Sequence, residues 1–249
     1  MRFFLILLSF SILSFAALAD MTQAHTAYDE GDFNSALKLF LKEAKQGNSE
    51  AQFSVGVMYR NGQGIAKNYD ESLKWLRISA AQKYRPAIYA IGLAYIHGLG
   101  VKKDPHEAMK YFQKGHDLQH ARSSEVLAMI YLNGKYNVKK DVAKAKTYLH
   151  QGLEFGNPAS LLMLGMMYLD GEIYETDEYK GTLLIAKAST LGLKAAQKAI
   201  KEIEKEIGMP LKDYLKNTYN FTLPFKEITV CPTSAINKRK CTIYWNDPL

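Results

Sequence analysis

Ser35 and Lys38 have the types and spacing of a serine acyl-transfer pair. They fit the S-x-x-K pattern, in which a lysine activates a serine nucleophile. The chain contains no S-D-N or K-T-G element to accompany them, and a four-residue pattern with two free positions often arises by chance. The sequence therefore predicts a protein that is not an enzyme, with no catalytic residues.

His116 and His120 could bind a metal, because residues four apart lie on the same side of a helix. No H-E-x-x-H arrangement is present, and the sequence offers no evident third ligand. The pair also spans the end of a predicted helix, where histidine interacts favourably with the helix dipole and with solvent. We expect neither a bound metal nor a cofactor.

The element that must position these side chains is an internal repeat. Four tyrosines recur at spacings of 36, 36 and 37 residues: Tyr59, Tyr95, Tyr131 and Tyr168. A small residue stands three positions before each one: Gly56, Gly92, Ala128 and Gly165. A glycine follows three positions after each one: Gly62, Gly98, Gly134 and Gly171. A period of about 20 to 50 residues is typical of a stacked array of small units rather than of a globule around one catalytic cleft.

Each repeat has the pattern of two antiparallel helices. Residues 86–97 place small and apolar side chains at i, i+4, i+5 and i+8, which is one stripe of a helix. Gly98 and Gly100 then predict the end of the first helix. Asp104 and Pro105 predict the N-cap and the first residue of the second helix.

These columns, A-x-x-x-L-G-x-x-Y-x-x-G-x-G-V-x-x-D-x-x-x-A-x-x-W/Y, resemble the Sel-one-like repeat, a longer relative of the tetratricopeptide repeat. The resemblance covers roughly residues 24–207. The third repeat has one inserted residue between Gly134 and Val138, and the fourth lacks the second glycine and the valine at 172–175. The resemblance implies an all-α, right-handed superhelical solenoid of helix pairs, and a fold does not by itself imply an activity.

Some cysteine-rich bacterial members of that family have been linked to β-lactam binding or hydrolysis. The resemblance therefore leaves a cell-wall-active or β-lactam-hydrolysing enzyme as an alternative. Those members carry a cysteine pair in each repeat, whereas Cys231 and Cys241 both follow the repeats of this chain. The difference weakens the alternative.

The repeat columns set the predicted boundaries. They are a signal peptide at 1–19, a tetratricopeptide-like hairpin at 20–47, repeats at 48–83, 84–119, 120–156 and 157–192, a capping helix at 193–208, and a C-terminal extension at 209–249. Charged Lys201 and Glu204 replace the small residue and the tyrosine in the capping helix, as expected where nothing stacks on the outer face.

The first residues predict export. Arg2 precedes an apolar run over residues 3–18, which ends at an A-x-A site formed by Ala17, Leu18 and Ala19. We expect cleavage after Ala19 and a periplasmic or secreted protein without a membrane span. An uncleaved anchor is the alternative, although the run is shorter than the about 20 residues that spanning requires.

The C-terminal extension predicts a small β-hairpin-like tail. Residues 227–231 and 241–245 are β-prone runs, and an oxidising compartment would favour a disulfide between Cys231 and Cys241. Two reduced thiols are the alternative. The loop between them contains a basic cluster at 238–240, which is either a solvated tip or a contact for an anionic lipid, a cell-wall polymer or an acidic protein.

The predicted binding surface is the concave side of the solenoid, lined by the first helices of the repeats. The formal net charge is +7, but the lysines are spread over every repeat, so no nucleic acid is expected. We expect a monomeric adaptor that binds another protein or a peptide. The candidate residues are Gln52, Phe53, Met58, Ile88, Tyr89, Ser124, Glu125, Ile130, Leu161, Leu162, Met163 and Met167. The alternative is that this stripe packs inside the array.

Overall fold

The computed structural model describes residues 20–171 and 174–219. Within these ranges it contains twelve helices and no strand, which confirms the all-α class. The first, α1, covers residues 20–29. The others are α2 (Phe33–Lys45), α3 (Ser49–Asn61), α4 (Tyr69–Ala81), α5 (Arg85–His97), α6 (Pro105–Asp117), α7 (Ala121–Asn133), α8 (Val142–Glu154), α9 (Pro158–Asp170), α10 (Glu178–Thr190), α11 (Lys194–Ile207) and α12 (Leu211–Tyr219). The predicted signal peptide, tail hairpin and disulfide lie outside the described residues.

The second helix of each repeat begins at a capping side chain. Asp104 accepts hydrogen bonds from the backbone N–H groups of His106 and Glu107, and Pro105 is the first helical residue, as the sequence predicts. These bonds satisfy donors that would otherwise lack a partner in the first turn. The same column caps the other second helices through Asn68, Asp141 and Asp177.

Glycine ends the first helix of the first three repeats. Gly62, Gly98 and Gly134 have φ between 63° and 72°, a left-handed conformation that residues with a Cβ rarely adopt. The inserted residue of the third repeat is accommodated in the following loop. Tyr136 and Asn137 both adopt φ of 59° there, so two non-glycine residues take the left-handed conformation.

The chain divides into two compact units, Met1–Asn157 and Pro158–Leu249. In the first unit, each helix from α2 to α7 packs against the next one along the chain, so the series ends at α8. Its N-terminal core joins Ala24 of α1 to Phe40 of α2 and Val55 of α3, which are all fully buried. The first unit is therefore a series of helices held together through neighbours in sequence.

In the second unit, α9 packs against α10, α10 against α11, and α11 against α12. The α9–α10 pair is unusually close, because a Cβ atom added at Gly165 would lie 2.8 Å from the carbonyl oxygen of Gly181. Two glycines therefore let the backbones of these helices meet directly. No helix within residues 20–171 or 174–219 is long and apolar enough to span a bilayer.

Candidate functional site

Burial divides the predicted binding residues into two groups. Seven are at most 7% exposed, so the expectation that they form an open surface is wrong: Gln52, Met58, Ile88, Ser124, Ile130, Leu161 and Met167. Five are half-buried, and their role in binding stays a prediction: Phe53, Tyr89, Glu125, Leu162 and Met163. Most positions of the predicted rows therefore contribute to the core.

The two buried polar residues of these rows are buried because other helices satisfy their hydrogen bonds. The Gln52 side-chain amide donates to the carbonyl oxygen of Ala44 at 3.1 Å and accepts from the Gln82 side chain at 2.7 Å. The Ser124 hydroxyl lies 2.8 Å from Nδ1 of His116. Buried polar groups need such partners, so these two residues connect helices rather than offer free groups to a ligand.

In the first unit, the half-buried residues form a regular series of contacts. The Phe53 ring lies 5.5 Å from the Tyr84 ring, and the Tyr89 ring lies 5.2 Å from the His120 ring. A side-chain oxygen of Glu125 accepts from the Asn157 amide at 3.0 Å. We call these six residues the inter-repeat ladder: Phe53, Tyr84, Tyr89, His120, Glu125 and Asn157.

The ladder has the same construction at each step. One member lies in the second turn of a first helix, at Phe53 of α3, Tyr89 of α5 or Glu125 of α7. The other member directly precedes the next first helix, at Tyr84, His120 or Asn157. The predicted binding surface did not include Tyr84, His120 or Asn157. Their spacings of 36 and 37 residues nevertheless mark them as a column of the repeat.

The ladder rings are uncharged near neutral pH. Burial, together with the positive charges of Arg85 and Arg122, lowers the pKa of His120 to about 4. Burial raises the pKa of Tyr84 to about 12 and also raises the pKa of Tyr89. Arg85 and Arg122 are both exposed. The neutral aromatic rings of the ladder therefore lie near two exposed guanidinium groups, which are not themselves ladder members.

The Ser35–Lys38 and His116–His120 pairs, considered above for catalysis and metal binding, occupy ordinary structural positions. Ser35 and Lys38 are exposed on α2, and the backbone N–H of Ser35 donates to the Asp32 side chain as part of the helix cap. Nδ1 of His120 lies 2.9 Å from the Ser123 hydroxyl, and Nδ1 of His116 has the Ser124 partner described above. Within the described part of the chain, no group of three or more His, Cys, Asp or Glu residues is placed to hold a metal ion.

A family model of the Sel1 repeat matches residues 49–84, 85–120, 125–154 and 158–193, which together exceed half of the chain. The chain belongs to the Sel1 repeat family. This finding confirms the resemblance read from the repeat columns. Sel1 repeat proteins are generally non-enzymatic scaffolds that bind other proteins. No curated protein matches the chain.

Solved structures show the same helical solenoid fold. The chain is similar to a Sel1 repeat protein from Oxalobacter formigenes, with 31% identity, coverage of 74% of this chain and 76% of that one, and a TM-score of 0.66. It is similar to c5321, a protective antigen of uropathogenic Escherichia coli with an SLR fold, at 21% identity, 78% and 50% coverage and a TM-score of 0.52. Protein 5086 of Pseudomonas aeruginosa has 21% identity, 70% and 68% coverage and a TM-score of 0.51.

Proposed function

We propose that this Sel1 repeat protein is an exported, monomeric, non-enzymatic adaptor that captures another protein or a peptide through the inter-repeat ladder. The observation that carries the proposal is the ladder itself. Five of its six members are half-buried at equivalent positions of consecutive repeats, Asn157 is buried, and several neighbouring positions are buried as well. A partner that lies along the first unit would therefore meet aromatic rings at the first two steps and the carboxylate of Glu125 at the third.

The composition of the ladder suits protein recognition. Tyrosine and arginine are enriched among the residues that dominate binding energy at protein interfaces, and Tyr84, Tyr89, Arg85 and Arg122 provide both. The ring contacts with Phe53 and His120 hold the Tyr84 and Tyr89 side chains before a partner arrives. Binding then requires less loss of side-chain entropy than it would for unsupported side chains.

Site-specific photo-crosslinking tests this location. A photoreactive residue replaces Arg122 beside the ladder, and in a matched control it replaces Lys114, an exposed cation of α6. We expect a partner protein to crosslink at position 122 and not at position 114. Equal crosslinking at both positions, or crosslinking at position 114 alone, would contradict the proposed surface.

The exported state is supported by the basic start, the apolar run and the A-x-A site that ends at Ala19. Sequencing of the N-terminus of the protein recovered from the periplasm or the culture medium tests it. We expect the mature chain to begin at Asp20. Recovery of the chain with Met1 retained and in the membrane fraction would favour the uncleaved anchor instead.

The predicted disulfide belongs to the same proposal, because an oxidising compartment permits Cys231 and Cys241 to pair. Mass spectrometry of the alkylated protein, with and without prior reduction, tests the pairing. Two alkyl groups added only after reduction would support it, and two added without reduction would contradict it.

The enzymatic alternative that the sequence offers is acyl transfer by Ser35 and Lys38, which are both exposed on α2, where the Ser35 backbone N–H belongs to the helix cap. The discriminating assay is hydrolysis of a β-lactam or a peptidoglycan fragment by the intact protein and by Ser35→Ala. Hydrolysis that disappears in the variant would overturn the adaptor proposal.

A further inference from the structure

The loop of the fourth repeat has the opposite charge from the corresponding loops of the other repeats. A lysine directly precedes the capping residue in the first three repeats, at Lys67, Lys103 and Lys140, but Thr176 occupies this position in the fourth. One position earlier, Lys102 and Lys139 correspond to Glu175. The segment 170–178 contains five acidic residues in an otherwise basic protein.

This loop forms the wall of an open depression with a volume of about 550 Å³, which is lined by Tyr168 and residues 174–179. The rings of Tyr168 and Tyr174 stack with their centres 4.3 Å apart. Burial raises the pKa of Tyr174, and the neighbouring Tyr168 raises it further, so the ring is neutral at physiological pH. The depression thus combines aromatic rings with the carboxylates of Glu175, Asp177 and Glu178.

The depression already attracts one ammonium group from the chain itself. The Lys180 Nζ atom lies 4.6 Å from the centre of the Tyr168 ring, within the range of a cation–π interaction. The start of α10 does not offset this preference for cations, because Asp177 accepts the Lys180 backbone N–H and Glu178 adds a negative charge in the first turn. Three carboxylates and one lysine leave a local excess of negative charge.

We infer that the depression binds a lysine or arginine side chain from a basic segment of a partner protein. Aromatic faces attract cations, and carboxylates pair with them, so both features of the wall favour the same class of side chain. The segment would contact Tyr174, which replaces an aliphatic residue of the other repeats, and Glu175, which replaces a lysine of the second and third repeats. This inference rests on the proposed function only in taking the ligand to be a protein.

NMR of the full chain with isotope-labelled tyrosine rings tests the inference. The probe is an acetylated and amidated Gly-Lys-Gly-Lys-Gly peptide, and the comparison peptide carries glutamate in place of lysine. We expect saturable shifts of the Tyr168 and Tyr174 resonances with the lysine peptide alone. Added salt should weaken the binding, because the site is open to solvent.

Two variants test how much single side chains contribute to the affinity for the lysine peptide. Glu175→Gln and Tyr174→Leu should each weaken binding of the lysine peptide about threefold to fivefold, the range for an exposed ion pair or cation–π contact. Glu30→Gln removes the same charge from the turn between α1 and α2, and Tyr136→Leu removes a loop tyrosine from the third repeat. Both controls should bind the peptide like the unchanged protein.

Unchanged Tyr168 and Tyr174 resonances, or equal binding by Glu175→Gln and Glu30→Gln, would overturn the inference. Binding that appears only after Lys238, Arg239 and Lys240 are replaced by serine would also overturn it, because the occupant would then be this chain's own basic segment. The result is independent of the ladder. A variant that loses a crosslinked partner at position 122 while it still binds the lysine peptide separates the two surfaces.

Discussion

The second and third repeats use the same columns as the fourth repeat with different aromatic packing. In the second repeat Tyr95 stacks on Tyr111 with ring centres 5.6 Å apart, and in the third Tyr131 stacks on Tyr148 at 5.7 Å. In both cases the second ring belongs to the second helix. In the fourth repeat that column holds the buried Leu184, and Tyr168 stacks instead on Tyr174 of the loop.

The comparison shows that a repeat can keep its two helices while the ring that stacks on the repeat tyrosine lies on a loop instead of on the second helix. A ring that stacks between two helices contributes to the stability of the pair. A ring on a loop supports little of the helix packing, and here it lines an open depression. The fourth repeat compensates with a closer approach of its helices at Gly165 and Gly181.

The largest effect should come from Gly165→Ala. The added Cβ would lie 2.7 Å from the Ile185 side chain and 2.8 Å from the Gly181 carbonyl oxygen, so the two helices must separate. We expect a loss of about 2–3 kcal/mol in the free energy of unfolding, which is the usual range for overpacking. Urea denaturation followed by circular dichroism measures it.

Gly56→Ala in the first repeat is the matched control. Its Cβ would lie 2.9 Å from the Leu76 side chain and 3.1 Å from the Ser72 carbonyl oxygen, so the nearest backbone atom is farther away than the one that faces Gly165. We expect a loss of about 1 kcal/mol, because the gain in helix propensity offsets part of the strain. An equal loss in both variants would contradict the conclusion that the helices of the fourth repeat pack more closely than those of the first.

The second prediction compares the two aromatic stacks. Tyr148→Leu removes a ring contact with Tyr131 and a 2.7 Å hydrogen bond from the hydroxyl to Gln113, so we expect a loss of about 1–2 kcal/mol. Tyr174→Leu should cost less than about 1 kcal/mol, because its ring lies on a loop. Denaturation of the two variants under identical conditions measures the difference, and a greater loss for Tyr174→Leu would contradict the assignment of its stack to binding.

The third prediction uses pH to compare the two regions. Every histidine precedes residue 157, so the fourth repeat contains none. The unfolded chain protonates His120 near pH 6.5, whereas the folded chain does so only near pH 4. The unfolded state thus binds more protons in this window, and stability must decrease as the pH falls from 6.5 towards 4. Hydrogen exchange of α6 and α7 between pH 6.5 and 5, corrected for the intrinsic rate, should show the decrease. His120→Asn should reduce it without abolishing it, because burial also lowers the pKa of His116 on α6.

His25 provides a control with the opposite sign. A hydrogen bond to Glu50 at 3.2 Å raises the pKa of His25, so its contribution is complete below pH 6.5 and is lost as the pH rises through the folded pKa. His25→Asn should therefore leave the decrease at low pH in place. In the fourth repeat, α9 and α10 should show no histidine-dependent change, and a change there that His120→Asn removes would contradict the assignment.

Local signals made the framework predictable from the sequence. Asp104, Pro105 and the glycine at 98 act through their own backbone neighbourhood, so their positions alone identify the helix ends. The Sel1 repeat columns then gave the fold class. Nothing in this step required knowledge of contacts between distant residues.

The candidate site was less predictable, because a helix stripe that packs on the next helix has the same period as one that binds a partner. Gln52 was assigned to the concave surface from its position in a first helix, yet Gln82 and Ala44 satisfy its buried side chain. In the sequence, Tyr174 is only part of a loop that departs from the repeat columns. The structure shows that its ring stacks on Tyr168.

The most direct test of the adaptor proposal is the affinity of the crosslinked partner, measured by titration calorimetry with purified proteins. Arg122→Glu reverses an exposed charge beside the ladder, and Lys114→Glu makes the same change on α6. We predict that Arg122→Glu weakens binding about tenfold, or about 1.4 kcal/mol, and that Lys114→Glu leaves it within about twofold. Equal affinities for the unchanged protein and Arg122→Glu would contradict the account.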